Sequence, residues 1–417
     1  MDIFVINGGK RLEGTIEVSG AKNAVLPLMA VALLSNGTSV IHNVPRLRDV
    51  FTMKKLMQMF GAQVAFENHI LTIDCSHITK YEAPYDLVKT MRASVYVLGP
   101  LLARFGKARV SLPGGCAWGP RPIDLHLFGL QALNAQLTLE NGYINATADR
   151  LHGAEIIFSK SSVGATGNVL MAAVLADGET VICNAAKEPE IATLAETLNA
   201  MGAQIKGVGT TELRIKGVSS LRPMNTSVIP DRIETATYIT AAAITGGKIT
   251  VTRATPFHLT AVSEKLREAG VSVIESDDTI TVEADSVIKP VNVRTDVYPG
   301  FPTDMQAQWI ALMSIADGNS VVEDTIFVDR FTHVAELNRL GANISVDVNK
   351  AFITGVQELN GAEVMSTDLR ASASLIIAAL RARGQSIVHR VYHIDRGYEA
   401  VEKKLQALGA DIRREQE

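Results

Sequence analysis

GAQVAFENHILTI, residues 61–73, opens on a small pair and continues as alternating apolar and polar residues, the pattern of a β-hairpin. The motif recurs. Small pairs stand at Gly61-Ala62, Asn134-Ala135, Gly202-Ala203, Ala269-Gly270, Gly341-Ala342 and Gly409-Ala410, about 70 residues apart, each after a helix-like segment and before an alternating stretch. Upstream in each unit lies a segment dense in Ala, Met, Leu and Ile, such as SVGATGNVLMAAVLA, DRIETATYITAAAI or FPTDMQAQWIALMSIA. A helix apolar nearly all round belongs in an interior. A short strand follows (TSVIHNV, ETVICNA, GKITVTR, NSVVEDT), then a helix with a clearer polar face (EIATLAETLNAM, YEAVEKKLQAL). Six βαβ-type units with appended strands are implied. The period exceeds that of ordinary solenoids, so three units per closed domain are expected, with a linker near residues 225–231.

Composition bounds what such a chain does. Its 417 residues, 47% hydrophobic, suit two cores. With 40 basic and 44 acidic residues and a net charge of -4, no broad field grips a nucleic-acid backbone, so an anionic ligand has to meet a local cluster. The apolar run Val25 to Leu34 falls short of the roughly 20 residues of a membrane span. The start, MDIFVINGGKRLEG, lacks the pattern of a signal peptide, and a cytoplasmic protein is expected. Cys75, Cys116 and Cys183 form no CxxC pair, so neither a disulfide framework nor a zinc knuckle is expected. IVHRVYH reads as a strand, which would part His389 and His393 by about 13 Å, too far to chelate one ion. Neither metal nor cofactor is inferred.

Residues that break the apolar pattern cluster at unit junctions. In VSGAKNAVLP, Lys22 and Asn23 open an apolar helix, where amides, dipole and ammonium together make an anion site, or where the lysine is simply solvated beside a cap. LPGGCAWGPRPIDLH, residues 112–126, surrounds Cys116 and Arg121 with Gly114, Gly115 and Gly119, a loop able to fold over a ligand as a lid. A thiol five residues from a cation suits acid or nucleophilic chemistry. Cys75 and Cys183 sit in strand patterns and read as inert. SKSSVGATGN sets Lys160, Ser161, Ser162 and Val163 at a helix start, suited to a diphosphate or to ordinary capping; no GxxxxGK[ST] is present. Farther on come Asp304, Arg330, Asp368, Arg370 and Arg396, again at junctions. Surface solvation explains any single arginine, whereas convergence on one small polyanion explains their recurrence.

From GGKRLEGTIEVSGAKNA to HIDRGYEAVEKKLQALGA, and most specifically in GGCAWGPRPIDLH, the chain resembles the UDP-N-acetylglucosamine enolpyruvyl transferase family of bacterial peptidoglycan synthesis. The resemblance implies an α/β fold of two similar domains, each of three βαβ-type units around inward-facing helices, an inside-out α/β barrel with the active site in a cleft between the domains. Residues 21–229 would form the first domain, and 1–20 with 230–417 the second. The implied reaction moves the enolpyruvyl group of phosphoenolpyruvate to the 3-hydroxyl of UDP-N-acetylglucosamine and releases phosphate. Carried over, Lys22, Arg121 and Arg396 hold the phosphate and Arg330 and Arg370 the carboxylate. Cys116 is the acid over the methylene carbon, open to the epoxide phosphonate fosfomycin, and Asp304 the base. Asn23 and Asp304 face the sugar hydroxyl. Arg92, Arg121, Pro122, Ile123, Asp124, Leu125, Lys160, Ser161, Ser162, Val163, Asp304 and Ile326 line the sugar-nucleotide site, with Asp368 beside Arg370 among the binding residues. Val328-Asp329 stands where the family often has Glu-Asn. Two other readings stay open: a shikimate-pathway enolpyruvyl transferase, and a catalytically idle, UDP-sugar-binding regulator.

Overall fold

The structure, a computed structural model, describes residues 1–112, 123–284 and 287–417. Six helices end in one and the same way. At Gly61, Asn134, Gly202, Gly270, Gly341 and Gly409 the backbone turns left-handed, with φ from 70° to 111°. Each of these amides bonds back three residues, and the next amide five (Gly61 N to Gln58 O, Ala62 N to Met57 O). This is the Schellman closure, which satisfies helix-end carbonyls and favours glycine because only a residue without Cβ turns left at no steric cost. The fourth copy corrects the sequence register. Gly270 bonds to Arg267 and Val271 to Leu266, so the equivalent pair is Gly270-Val271, and Ala269 is still helix end.

A hairpin strand leaves each closure and joins one of six four-stranded sheets built to one plan. In the third, Glu155–Ile157 runs parallel to Glu179–Cys183, which pairs antiparallel with Glu212–Lys216, which in turn pairs antiparallel with Gln204–Lys206. The sheets stay separate. Five of the six outer parallel strands are only two or three residues long, so each ladder stops at its edge and no sheet closes into a barrel among the described residues. Between the parallel strands of this sheet runs the helix Val163–Ala173, buried from Ala165 onward.

Two compact units result, one of residues Gly20–Ile229, the other of Met1–Ser19 with Pro230–Glu417. Within each unit, strands far apart in sequence pair. Glu13–Glu17 pairs parallel with Lys248–Thr252, and Asn225–Ser227, expected as part of a linker, pairs parallel with Thr38–His42. The amino-terminal strand Asp2–Asn7 lies between Gln385–His389 and Asp411–Gln416, replacing the second hairpin strand of the sixth unit. In the second unit, the helices Arg232–Thr245 and Leu369–Arg381 are buried almost throughout. Threonines fit this interior because their hydroxyls bond back one turn, Thr235 to Asp231 O, Thr237 to Ile233 O and Thr240 to Ala236 O.

Candidate active site

In the second unit three of the expected residues meet. Asp304 lies in the turn Thr303–Met305 that leads into the helix Gln306–Met313. Its Oδ1 is 2.9 Å from Nη1 of Arg330 and its Oδ2 2.6 Å from Nη2 of Arg370. Both guanidiniums are nearly closed to solvent, while a quarter of the carboxylate side chain stays open. Burial works to raise the Asp304 pKa, but Arg370 and then Arg330 overcome it and hold the carboxyl well below its ordinary value. Arg370 is shifted the other way: burial opposes its charge, and Asp304 raises its pKa.

Each arginine is aimed by its neighbours. Arg370 stands in the first turn of Leu369–Arg381, where Oδ1 of Asp368 caps the helix by accepting from the amides of Arg370 at 2.9 Å and Ala371 at 3.2 Å. Nη1 of Arg370 donates to the hydroxyl of Tyr398 at 3.2 Å. Arg330 donates to Thr303 Oγ1, which donates to Asp324 Oδ2 at 2.7 Å. Asp324 is fully buried and accepts on Oδ1 from Thr295 Oγ1 and from the amides of Ile326 and Phe327, each at 2.9 Å. It thus folds the loop that carries exposed Ile326 and buried Arg330. Arg396 ends the turn Val391–Arg396, half-buried, two residues before Tyr398. His333 is buried beside Arg330, with neither ring nitrogen hydrogen-bonded among the described residues; burial and that guanidinium push its pKa down to about 3.

The first unit carries the other candidates. Lys22 begins the helix Lys22–Val31, and its Nζ is 3.0 Å from Oδ2 of Asp49, a buried residue in the first turn of Arg48–Phe60. The anion site read at this helix start therefore already faces a carboxylate. Asn23 follows, half-buried. Ser162 caps Val163–Ala173 through the amide of Ala165, so its side chain fills the ordinary role that its position allowed. Lys160 is exposed, and Ser161 and Val163 are half-buried. A Cβ on Gly164 would stand 3.0 Å from Nε2 of His126, so this helix start closes against Asp124–Ala132, the helix of exposed Asp124 and buried Leu125; Ile123 precedes it, half-buried. His126 is buried, its Nδ1 3.1 Å from Nδ2 of Asn168, whose Oδ1 accepts from the amide of Gly99 at 2.7 Å. Burial and then Arg92, at the head of the turn Arg92–Val97, lower its pKa to about 4. Cys116, Arg121 and Pro122 lie outside the described residues. The strand read through IVHRVYH ends at His389; Arg390 turns left-handed at φ 58° and His393 belongs to the next turn. Cys75 is buried, whereas Cys183, read as a core thiol, is half-buried at a strand end.

Paired buried arginines around an ion-paired carboxylate suit a second small carboxylate. Comparison with known proteins gives this arrangement its family. The family model of EPSP synthase (3-phosphoshikimate 1-carboxyvinyltransferase) matches residues 6–405. A UDP-N-acetylglucosamine 1-carboxyvinyltransferase of Chloroherpeton thalassium is 57% identical, over 100% of this chain and 97% of its own. One of Geobacter metallireducens is 54% identical over 100% of both chains. Among solved structures, the enolpyruvyl transferase NikO from Streptomyces tendae superposes with a TM-score of 0.90 at 26% identity, covering 99% of this chain and 98% of its own. EPSP synthase from Acinetobacter baumannii, at 20% identity and a TM-score of 0.76 over 100% of both chains, shares the fold. Matched over residues 6–405 by the family model and over its whole length by these relatives, the chain belongs to the enolpyruvyl transferase family.

Proposed function

We infer that this chain transfers the enolpyruvyl group of phosphoenolpyruvate to the 3-hydroxyl of UDP-N-acetylglucosamine and releases phosphate, the first committed step of peptidoglycan synthesis, in the cytoplasm. The observation that carries the reading at the site is the pair Arg330 and Arg370, buried around Asp304. Two forked donors fit a carboxylate, and a general base beside them fits the attacking hydroxyl. Full-length identity of 53–57% to UDP-N-acetylglucosamine 1-carboxyvinyltransferases, against 20% to a solved EPSP synthase, supports the sugar nucleotide over a shikimate-type acceptor.

Cys116 gives a proton to the methylene carbon of phosphoenolpyruvate, leaving oxocarbenium character on the carbon that bears the phosphate oxygen. The sugar 3-hydroxyl attacks that carbon and gives its proton to Asp304, forming a tetrahedral ketal. The bond to the phosphate oxygen then breaks, the phosphate leaves with the proton held by Asp304, and the Cys116 thiolate takes a proton from the methyl carbon to restore the vinyl group. Lys22, Arg121 and Arg396 take the phosphate, and Arg330 and Arg370 the carboxylate. Asn23 faces the sugar hydroxyl, while Arg92, Arg121–Leu125, Lys160–Val163 and Ile326 hold the sugar nucleotide. A carboxyl held well below its ordinary pKa is a weak base. Arrival of the substrate carboxylate at the same guanidiniums frees Asp304 and raises its basicity when it is needed.

Phosphate release followed with phosphoenolpyruvate and UDP-N-acetylglucosamine tests the reading. Release that needs both substrates and survives EDTA is expected. Turnover of shikimate 3-phosphate in place of the sugar nucleotide, or no turnover at all, would overturn it.

A further inference from the structure

Tyr398 sits at the centre of a buried hydrogen-bond junction whose donors can be counted. The Thr237 hydroxyl donates to Ile233 O at 2.8 Å, so the 2.7 Å contact between Thr237 Oγ1 and Tyr398 is made with the phenol as donor. The lone pairs of the phenol oxygen are then left to Nη1 of Arg370 at 3.2 Å and Nε2 of Gln308 at 3.4 Å. Gln308 also donates to Thr237 Oγ1 at 3.1 Å, which closes the ring of contacts.

The side chain of Tyr398 borders a void of about 10 Å³, lined also by Ala241, Ala373, Ile377 and Leu405. What closes this segment onto the arginine helix is Gly397, where a Cβ would come within 2.6 Å of a Leu369 methyl. The acceptor is also neutral: burial raises the phenol pKa, and Arg370 only partly offsets this. A neutral acceptor orients a guanidinium without cancelling its charge, leaving that charge for an anion.

We propose that Tyr398 is the positioning residue for Arg370, its phenol oxygen holding Nη1 so that Nη2 stays aimed where Asp304 now sits and where the substrate carboxylate arrives. This rests on the reading that Arg370 receives that carboxylate. When the carboxylate replaces Asp304, Tyr398 is the contact that persists and keeps the fork in register.

Initial rates on the full chain, with phosphoenolpyruvate varied at saturating UDP-N-acetylglucosamine, separate the two ideas. Arg370→Lys gauges the reading: an unchanged KM for phosphoenolpyruvate overturns it. Tyr398→Phe keeps the ring and removes the acceptor. It is expected to raise that KM about tenfold, the usual effect of losing one hydrogen bond to a charged group, and to leave the KM for the sugar nucleotide unchanged. Thr237→Val should raise the same KM less, and Thr237→Ser should restore it. If Arg370→Lys raises the KM while Tyr398→Phe and Thr237→Val only lower the melting temperature, the positioning role is overturned.

Discussion

Oδ2 of Asp304 lies 2.6 Å from Nη2 of Arg370, so the proposed base occupies the donor proposed for the substrate carboxylate. The two anions compete for one guanidinium, which sets a testable sign. Asp304→Asn removes the competitor as well as the proton acceptor. Turnover is expected to fall by about 10³-fold, within the range for loss of a general base, while phosphoenolpyruvate binds several-fold more tightly. Calorimetry on the variant decides: weaker binding than in the parent chain would show that Asp304 helps hold the substrate and does not compete with it.

The second prediction concerns stability in the other unit. Lys22 and Asp49 are 3.0 Å apart and both largely removed from solvent. Cutting one partner from a buried pair leaves the other charge in a poor medium, at a cost of about 3–5 kcal/mol. Asp49→Ala should therefore lower the urea midpoint strongly. A loss below about 1 kcal/mol, the value of an exposed pair, would mean that water or other groups around Lys22 already satisfy the ammonium.

The repeat was legible because a Schellman closure needs a left-turning residue at a fixed place, and Gly61, Gly202, Gly341 and Gly409 announce it in the chain. The fourth copy slipped by one because Ala269 and Gly270 are both small, and size alone does not say which of them turns. Asn225–Ser227 read as linker because its strand partner, Thr38–His42, is nearly 190 residues away and nothing local marks the pairing. Likewise Arg330 and Arg370 were legible as cations at junctions, but their shared grip on Asp304 spans 26 and 66 residues. Asp324, Asp49 and Tyr398 were missed for a related reason. Each lies inside an ordinary pattern, EDTIF, LRDVF or RGYEA, and acquires meaning only from a partner brought by the fold. A signal existed for Asp324: an aspartate after an alternating apolar strand either turns the chain or is buried with partners.

A pH window follows from the two buried histidines. His126 and His333 have pKa values lowered to about 4 and about 3, whereas an unfolded histidine titrates near about 6.5. Between those values the unfolded chain binds more protons, so stability rises with pH there and is lost as pH falls from about 6.5 towards 4. The slope approaches about 1.4 kcal/mol per pH unit for each histidine. Asp304 acts elsewhere: its depressed carboxyl contributes stability present above the unfolded pKa of about 3.9 and lost only as pH falls through its own lower value. Glu234, raised by burial, opposes the histidines above about pH 4.3. Urea midpoints at neutral and acid pH for His126→Gln with His333→Leu isolate the effect. The double variant should lose most of the acid slope between about pH 6.5 and 4.5, and an unchanged slope would place it on other groups.

The last prediction tests the proposed role of Cys116 by selective chemistry among three cysteines. Fosfomycin carries a phosphonate that should occupy the place of the substrate phosphate, with its strained epoxide beside Cys116. The thiolate attacks an epoxide carbon, the carbon–oxygen bond opens, and the alkoxide takes a proton, so the adduct adds one whole inhibitor. Proximity of this kind raises an effective concentration to about 10⁵ M or more, enough to favour one thiol. Cys75 should not compete, because it is buried and burial pushes its pKa up to about 12, leaving almost no thiolate at neutral pH. Cys183 is the harder control, since it is half-buried at the end of Glu179–Cys183. UDP-N-acetylglucosamine should speed labelling if the segment around Cys116 closes over bound substrate as proposed, and Cys116→Asp should resist the drug while keeping some turnover, because a carboxylic acid still donates a proton but opens an epoxide poorly. Peptide mass spectrometry reads the outcome directly: an adduct on Cys183 or Cys75, or equal inactivation of Cys116→Asp, would remove Cys116 from the proposed chemistry.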